Sequence, residues 1–196
     1  MTAKPAQALE ARRRNAAATR DAILRAARAR FQRESYEQVG VRAIAGDVGV
    51  DPALISRYFG SKEGLFAQVL ASTSKDPMEV LGGDRETFGE RVARAVFAPS
   101  KRRDACMEFL QIATRSSASP AASRLVRRHI ERQFLQPFSE WLGTERAAEK
   151  AWLAACLLTG VAVMTAIERH TSAHEDASMQ QLAALLQSLV DTRFEQ

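Results

Sequence analysis

The sequence predicts an all-α protein in which an N-terminal three-helix unit of the helix-turn-helix type precedes a C-terminal helical domain. Apolar residues recur three and four positions apart through most of the chain, and no segment alternates as a β-strand does. The stretch from Gly49 to Lys62 contains a helix end, two caps and a short amphipathic helix. Positive charge is concentrated in residues 1–75, with 13 Lys and Arg against 7 Asp and Glu, whereas residues 76–196 carry 15 against 16.

Composition narrows the class of protein. Hydrophobic residues make up 46% of the 196 residues, which suffices for a buried core. No uninterrupted apolar run approaches the ~18 residues of a membrane span, so we predict no membrane partner. The cysteines Cys106 and Cys156 are too few and too far apart for a disulfide framework, which favours a reducing, cytoplasmic environment.

Residues 1–18 have neither a cap nor an apolar period, and we interpret them as a disordered basic arm. Their Ala and Arg content is also typical of a transit peptide, but an arm on a nucleic-acid-binding unit fits the following segments better. Arg12-Arg13-Arg14 could reach a minor groove or remain a solvated tail. Thr19 is the predicted N-cap of the first helix, whose buried stripe is Ile23, Leu24, Ala27 and Phe31.

The second helix is predicted from the apolar spacing of Val41, Ile44, Ala45 and Val48. Gly40 precedes it and is a weaker cap than Ser or Thr, because it has no side-chain oxygen. Gly49 can adopt the left-handed conformation that ends a helix. We therefore predict a tight turn over residues 47–50.

A short third helix follows from Asp51, a good N-cap, and Pro52, which suits the first helical position. Ile55 and Phe59 are spaced i, i+4 and face the body of the domain. Gly60 stops this helix, and Ser61 caps a fourth that is predicted to end near Ser74. A short helix with small N-terminal residues and one arginine fits a DNA major groove.

Four segments in order resemble the DNA-binding domain of the tetracycline-repressor (TetR) family of bacterial regulators: Arg42-Ala43-Ile44-Ala45, Gly49-Val50-Asp51, Ile55-Ser56-Arg57-Tyr58-Phe59 and Ser61-Lys62-Glu63-Gly64-Leu65-Phe66. The resemblance spans residues 19–70, within a predicted DNA-binding domain at 19–75. It implies a homodimer that binds a palindromic double-stranded operator and is released by a small effector.

The resemblance and side-chain chemistry together predict the DNA contacts. Arg57 is expected to bond O6 and N7 of a guanine. Tyr58 and Lys62 are assigned to phosphates, and Arg42 to either a phosphate or a base. Apolar contacts to thymine methyls are assigned to Pro52, Ala53 and Leu54; Ser56, where the family often has Tyr, completes the set.

Residues 76–196 are predicted to form the effector-binding and dimerisation domain. One helix ends at Pro99 and another at Ser116-Ser117. Ser119-Pro120 opens a long helix that Pro137 should kink. Thr144 is the predicted cap of a helix that continues to about residue 171, and the last helix is predicted from about residue 176 to 193.

The predicted dimer interface lies on the last two helices, because residues 152–167 are apolar almost all round. Such a helix needs cover on more than one side, from a second subunit or from its own chain. The expected interface residues are Leu157, Val161, Met164, Leu182, Leu186 and Leu189.

Other apolar residues of this domain can form either solid core or the wall of a cavity. The resemblance implies an effector pocket here, and the lack of charged partners favours a hydrophobic or amphipathic effector. The candidate ligand-binding residues are Phe88, Val92, Phe109, Ala113, Phe134, Phe138, Trp141, Trp152 and Cys156.

Catalytic and metal-binding patterns are not found in the sequence. The histidines are His129, His170 and His174, and the last two are i, i+4, which begins a metal site but lacks cysteines at ligand spacing. We therefore expect no metal, no cofactor and no enzymatic activity. Two alternatives stay open: a helical protein–protein adaptor without sequence-specific DNA binding, and an enzyme that uses the C-terminal pocket.

Overall fold

The structure, a computed structural model, describes the backbone of residues 4–73, 82–97, 101–167 and 172–192. Side chains are described for 14–73, 82–97, 104–165 and 176–192. The α-helices in these ranges are α1 (Lys4–Phe31), α2 (Val41–Val48), α3 (Ala53–Phe59), α4 (Lys62–Thr73), α5 (Phe88–Phe97), α6 (Lys101–Ser116), α7 (Pro120–Ile130), α8 (Gln136–Leu142), α9 (Ala147–Ile167) and α10 (Ser172–Asp191). A 3₁₀ turn at Arg85–Thr87 precedes α5, and a π-helical turn at Glu131–Leu135 joins α7 to α8.

The chain divides into two compact units. The N-terminal unit consists of Met1–Ser72 and Gln111–Val126, and the C-terminal unit of Thr73–Leu110 and Arg127–Gln196. The predicted boundary after residue 75 is close to the division after Ser72. The inclusion of residues 111–126 in the N-terminal unit was not predicted.

Helix α1 is longer than the sequence analysis predicted. It begins at Lys4, so residues 4–18 are helical where a disordered arm was expected. Thr19 is not a cap, because its hydroxyl donates to the carbonyl of Asn15, one turn earlier in the same helix. The alanines before Thr19 are strong helix formers, which explains why the helix extends past the predicted cap.

The predicted end of α2 and the predicted starts of α3 and α4 are confirmed. Gly49 adopts φ 73°, and the N–H of Val50 donates to the carbonyl of Ala45 at 3.0 Å, which closes the end of α2. Asp51 Oδ1 accepts from the N–H of Ala53 at 2.7 Å. Ser61 Oγ accepts from the N–H of Gly64 at 3.1 Å. Local cap chemistry therefore fixes the end of α2 and the starts of α3 and α4.

The N-terminal core is built around three aromatic rings. Phe31, Tyr36 and Phe66 are each at most 3% exposed. Phe66 meets Phe31 edge-on at a centroid distance of 4.8 Å and meets Tyr36 edge-on at 5.1 Å. This arrangement joins α1, the loop after it and α4.

The end of α6 and the start of α7 belong to the same unit. As predicted, Ser119 caps α7, since its Oγ accepts from the N–H of Ala122. The Ser119 hydroxyl also donates to Glu37 Oε1 at 2.5 Å. Ser119 and Glu37 are 82 positions apart in sequence, so their contact could not be predicted from local patterns.

The C-terminal unit has its own core, in which α5 packs against α10. A Cβ at Gly89 would overlap the carbonyl oxygen of Ala183, so only glycine permits this close approach. The N–H of Gly89 donates to Gln187 Oε1 at 3.0 Å, and Gln187 Nε2 donates to the carbonyl of Arg85 at 3.0 Å. Gln187 thereby bonds the start of α5 to α10.

Two segments around α8 differ from a regular helix. The π-helical turn ends two residues before Pro137, where the proline removes one backbone donor and crowds the preceding turn, as predicted. After Gly143 ends α8, the predicted cap Thr144 does not cap α9, because Arg146 has φ 57° and the helix starts at Ala147. The Thr144 hydroxyl is buried without a hydrogen-bond partner among the described residues.

One described helix is long and apolar enough to cross a membrane by length and composition alone, over Ala147–Thr165, and 22% of that stretch is buried. The sequence analysis did not detect it because Glu149 and Lys150 interrupt the apolar run. His170 and the side chain of His174 lie outside the described residues.

Candidate nucleic-acid interface

Helix α3 exposes the side chains that the sequence analysis assigned to DNA. Ile55 is 1% exposed and anchors the helix in the core, whereas Pro52, Ala53, Ser56 and Arg57 are exposed. Leu54 and Tyr58 are half-buried, and Arg42 on α2 is exposed. The structure therefore presents a surface of small residues and one arginine along the outer side of α3.

The turn between α3 and α4 fixes the position of Lys62. Gly60 has φ 77°, a conformation that residues with a side chain rarely adopt. A Cβ at Gly64 would overlap the carbonyl oxygen of Phe59, so the first turn of α4 lies directly against the end of α3. These two glycines place the start of α4 next to the end of α3. This proximity would let α3 contact bases while the start of α4 contacts a phosphate.

Lys62 lies over an aromatic ring. Its Nζ is 4.4 Å from the ring centroid of Tyr36, a cation–π geometry. The next residue, Glu63, is exposed, and hydrogen bonds from its own N–H and then from the Ser61 hydroxyl lower the pKa of its carboxyl. The start of α4 therefore carries adjacent positive and negative charges at neutral pH.

Arg20 lies outside the stripe of α1 that was predicted to be buried, and it contacts two other helices. Its guanidinium carbon is 5.0 Å from the centroid of Phe59, and Nη2 donates to Gln68 Oε1 at 3.1 Å. Arg20 thus connects α1 to the end of α3 and to α4. Its i, i+3 and i, i+4 neighbours do not include these partners, so helical periodicity could not identify them.

An ion pair fixes α2 against α1. Arg30 forms two hydrogen bonds to Asp47, Nε to Oδ2 at 2.5 Å and Nη2 to Oδ1 at 2.8 Å, and Nη1 contacts Glu34 Oε1 at 3.1 Å. The hydrogen bonds between Arg30 and Asp47 lower the pKa of the Asp47 carboxyl and raise the pKa of Arg30. This pairing sets the position of the helix that precedes the turn.

Comparison with known families agrees with this geometry. Residues 23–69 match the family model described as bacterial regulatory proteins of the tetR family. Residues 86–190 match the model of the tetracyclin repressor-like C-terminal domain, which alone spans more than half of the chain. The chain belongs to the TetR family. The predicted resemblance of residues 19–70 to the DNA-binding domain of this family is thereby confirmed. The C-terminal helices match a model of the same family as well.

Solved structures give the same result for the fold of this TetR-family protein. A TetR-family regulator from Streptomyces coelicolor is 27% identical, with a TM-score of 0.57 over 89% of this chain and 95% of that one. NalD of Pseudomonas aeruginosa, described as the secondary repressor of a multidrug efflux pump, is 17% identical, with a TM-score of 0.64 over 86% and 94%. GusR of Salmonella enterica is 17% identical, with a TM-score of 0.61 over 88% and 93%. Among curated proteins the chain has no match.

The structure separates the candidate effector residues into three groups. Phe88, Val92 and Phe138 are at most 3% exposed within the core of the C-terminal unit, and the Phe88 and Phe138 rings stack at 5.2 Å. They fill the core and do not line an open cavity. Trp152 and Cys156 are exposed on α9, which puts them outside the core. The half-buried candidates are Phe109, Ala113, Phe134 and Trp141.

The predicted dimer residues also fall into two groups. Leu182 and Leu186 are at most 3% exposed and point into the core of their own unit, so they are not available to a second chain, and Leu189 packs against that core. Met164 is 48% exposed. Together with Leu157 and Val161 it borders a groove of about 600 Å³ that also includes Phe97, Leu153, Cys156, Gly160, Thr165 and Ser178.

Two contacts that support the candidate nucleic-acid interface were not predicted from the sequence. They are the ring of Tyr36 under Lys62 and the bridge that Arg20 forms from α1 to α3 and α4. For the contact between Tyr36 and Lys62, the available sequence signal was an aromatic residue in the short loop before α2.

Within the described side chains, no group of three or more His, Cys, Asp and Glu could hold a metal ion.

Proposed function

We propose that this TetR-family protein is a sequence-specific, cytoplasmic transcriptional repressor that binds a palindromic operator as a homodimer. The observation that carries the proposal is the exposed surface of α3, held in place by the buried Ile55. A helix of 7 residues with an outward arginine fits a major groove, which presents a distinct pattern of donors and acceptors for each base pair.

Each of the residues assigned to DNA, exposed or half-buried, has a proposed role. Arg57 reads a guanine, and Pro52, Ala53 and Leu54 contact thymine methyls. Ser56 is placed to contact a base edge or a phosphate. Phosphates are bound by Tyr58 and Lys62, with Arg42 on either a phosphate or a base. The positive charge of residues 1–75 supports the general attraction to DNA.

We propose that dimerisation uses the outer face of α9 and α10. Four large apolar side chains of these two helices are 46–58% exposed, namely Trp152, Leu153, Met164 and Leu185. Exposed apolar area of this extent is typical of a protein–protein interface. A second copy of the chain would cover it and would account for the apolar character of α9 without a membrane.

A twofold dimer would also supply the second recognition helix. Helix-turn-helix dimers bind half-sites about one helical turn of DNA apart, so the symmetry of the protein and of the operator correspond. The proposed operator is therefore an inverted repeat.

We propose a small hydrophobic or amphipathic effector that binds the C-terminal unit. The half-buried rings of Phe109, Phe134 and Trp141 are its proposed contacts, and two of them, Phe134 and Trp141, pack against the core of this unit. Phe134 lies 5.6 Å and Trp141 5.7 Å from the ring of Phe138, so a ligand entering here would alter the aromatic packing. Binding that favours a dimer with a different half-site spacing would release the operator.

The test is a selection of bound duplexes from a random pool, with binding of the recovered sequence measured across a salt series. We expect an inverted repeat and a steep loss of affinity with salt, because phosphate contacts release counterions. Recovery of no motif, with weak and salt-insensitive binding, would favour the adaptor alternative. Catalytic turnover of a small molecule by the purified protein would favour the enzyme alternative.

A further inference from the structure

We infer that Tyr36 is a positioning residue for DNA binding, whose ring holds the Lys62 ammonium ready for a phosphate without neutralising its charge. The inference rests on the proposed function. Tyr36 does not reach DNA itself, since it is 3% exposed. Its contribution would act through Lys62.

The ring is a rigid support. Phe66 meets the Tyr36 ring edge-on at 5.1 Å, and Phe31 stacks against it at 6.0 Å. Burial, followed by the charge of Glu63, raises the pKa of Tyr36 to about 12, so the ring stays a neutral phenol at physiological pH. A fixed neutral ring offers the negative face of its quadrupole to a cation.

The place of Lys62 in the fold calls for such a support. Lys62 is the first residue of α4, where the helix dipole disfavours a cation. Its side chain has a flexible four-carbon stem, which loses conformational freedom when it binds a phosphate. The Nζ at 4.4 Å from the ring is therefore held at the helix end by the aromatic face and not by the helix itself.

An aromatic partner differs from a carboxylate in its effect on binding. A carboxylate would neutralise the ammonium, and a phosphate would have to displace it. The ring attracts the cation through its quadrupole and leaves the ammonium hydrogens that point away from it able to bond a phosphate oxygen. Part of the conformational cost of phosphate binding is thus met before DNA arrives.

The Tyr36 hydroxyl provides a matched control. Tyr36 Oη is buried and forms no hydrogen bond of standard geometry among the described residues, but it lies close enough to the Glu63 carboxyl to lower the pKa of that group. Tyr36→Phe keeps the ring and removes only the hydroxyl and its interaction with Glu63, so it should leave folding intact. Tyr36→Leu removes the ring, and Ile23→Ala truncates another buried side chain of the same unit while all three aromatic rings are retained.

The experiment measures DNA affinity and its salt slope for these variants, with and without Lys62→Ala. We expect Tyr36→Phe to bind within about twofold of the wild type, and Tyr36→Leu to lose about two- to fivefold per half-site. Lys62→Ala should reduce the slope by about one per half-site, and it should cost less in the Tyr36→Leu background than in the wild type.

Two further measurements separate positioning from loss of structure. The methylene protons of Lys62 should show ring-current shifts in the wild type and in Tyr36→Phe, and lose them in Tyr36→Leu. If Tyr36→Leu does not fold, pentafluorophenylalanine can replace Tyr36. It keeps the shape of the aromatic ring, but its reversed quadrupole repels the Lys62 ammonium, so it should weaken DNA binding as the loss of the ring does.

The inference would be overturned if the affinity losses of Tyr36→Leu and Lys62→Ala multiply fully in the double variant. It would also be overturned if Tyr36→Leu loses no more DNA affinity than Ile23→Ala at matched stability. Unchanged DNA affinity with pentafluorophenylalanine would do the same. Failure of the proposed function gives a different result, since then the wild type would not show specific binding either.

Discussion

At the scale of single residues, Arg57 and Lys62 carry the same charge but have different surroundings. Arg57 is exposed on α3, on the opposite side from the buried Ile55. Lys62 is half-buried at the start of α4 and lies over Tyr36. A planar guanidinium free to turn toward a base suits bidentate readout, whereas an ammonium at a fixed point suits a phosphate.

Arg57→Ala should therefore relax preference at one base pair in each half-site, by ~1–3 kcal/mol of discrimination. Lys62→Ala should weaken all sequences about equally and reduce the salt slope by about one per half-site. Parallel selections with the wild type measure both effects. An unchanged motif with lower affinity for Arg57→Ala would make Arg57 a phosphate contact and leave readout to Arg42 and the apolar residues of α3.

The Asp47 carboxylate gives a pH-dependent prediction. Arg30 lowers the pKa of Asp47 in the folded state, so the ion pair stabilises the fold fully at pH values above the unfolded-state pKa of ~3.9. This stabilisation is lost as the pH falls through the folded-state pKa of Asp47. Asp47→Asn should unfold at lower urea than the wild type at pH 7, and the two should converge in acid. Asp21→Asn, an exposed change on α1, is the control, and a difference that persists unchanged at pH 2 would contradict the assignment.

At the scale of secondary-structure elements, close contact between α5 and α10 depends on Gly89. Gly89→Ala should destabilise the C-terminal unit by ~1–3 kcal/mol, because its Cβ would meet the backbone of Ala183 and force the helices apart. Gly46 on α2 has open space at its Cβ position, so Gly46→Ala should be stabilising by about 0.5–1 kcal/mol through helix propensity. Thermal unfolding of both variants tests the contrast, and equal effects would refute it.

At the scale of the whole molecule, the proposed dimer predicts different outcomes for two equally drastic changes. Met164→Glu alters a side chain that is 48% exposed, so it should give a folded monomer that has lost affinity for the inverted repeat. Leu182→Glu puts a charge into a core position that is 3% exposed and should unfold the C-terminal unit. Sedimentation and circular dichroism distinguish the two states. A wild type that is monomeric at micromolar concentration would exclude the dimer.

The sequence by itself determined where α2 ends and where α3, α4 and α7 begin in the N-terminal unit. Gly49, Asp51, Ser61 and Ser119 act through hydrogen bonds to groups within a few residues, so their effects follow from local pattern. The concentration of charge in residues 1–75 is likewise a property of the chain alone. Thr19 and Thr144 do not cap the helices that they were predicted to cap. Helix propensity extends α1 past Thr19, and the backbone conformation of Arg146 delays the start of α9 to Ala147.

Tertiary structure decided which face of each helix is buried and which distant residues meet. Periodicity on α10 identifies a stripe of leucines, but the rotation of the helix against α5 places Leu186 in the core and Leu185 in solvent. The pairs Glu37 with Ser119 and Tyr36 with Lys62 depend on loop paths and helix packing, which arise from the sum of many non-local contacts. No pattern within a single helix encodes those contacts, because each requires a surface supplied by another part of the chain.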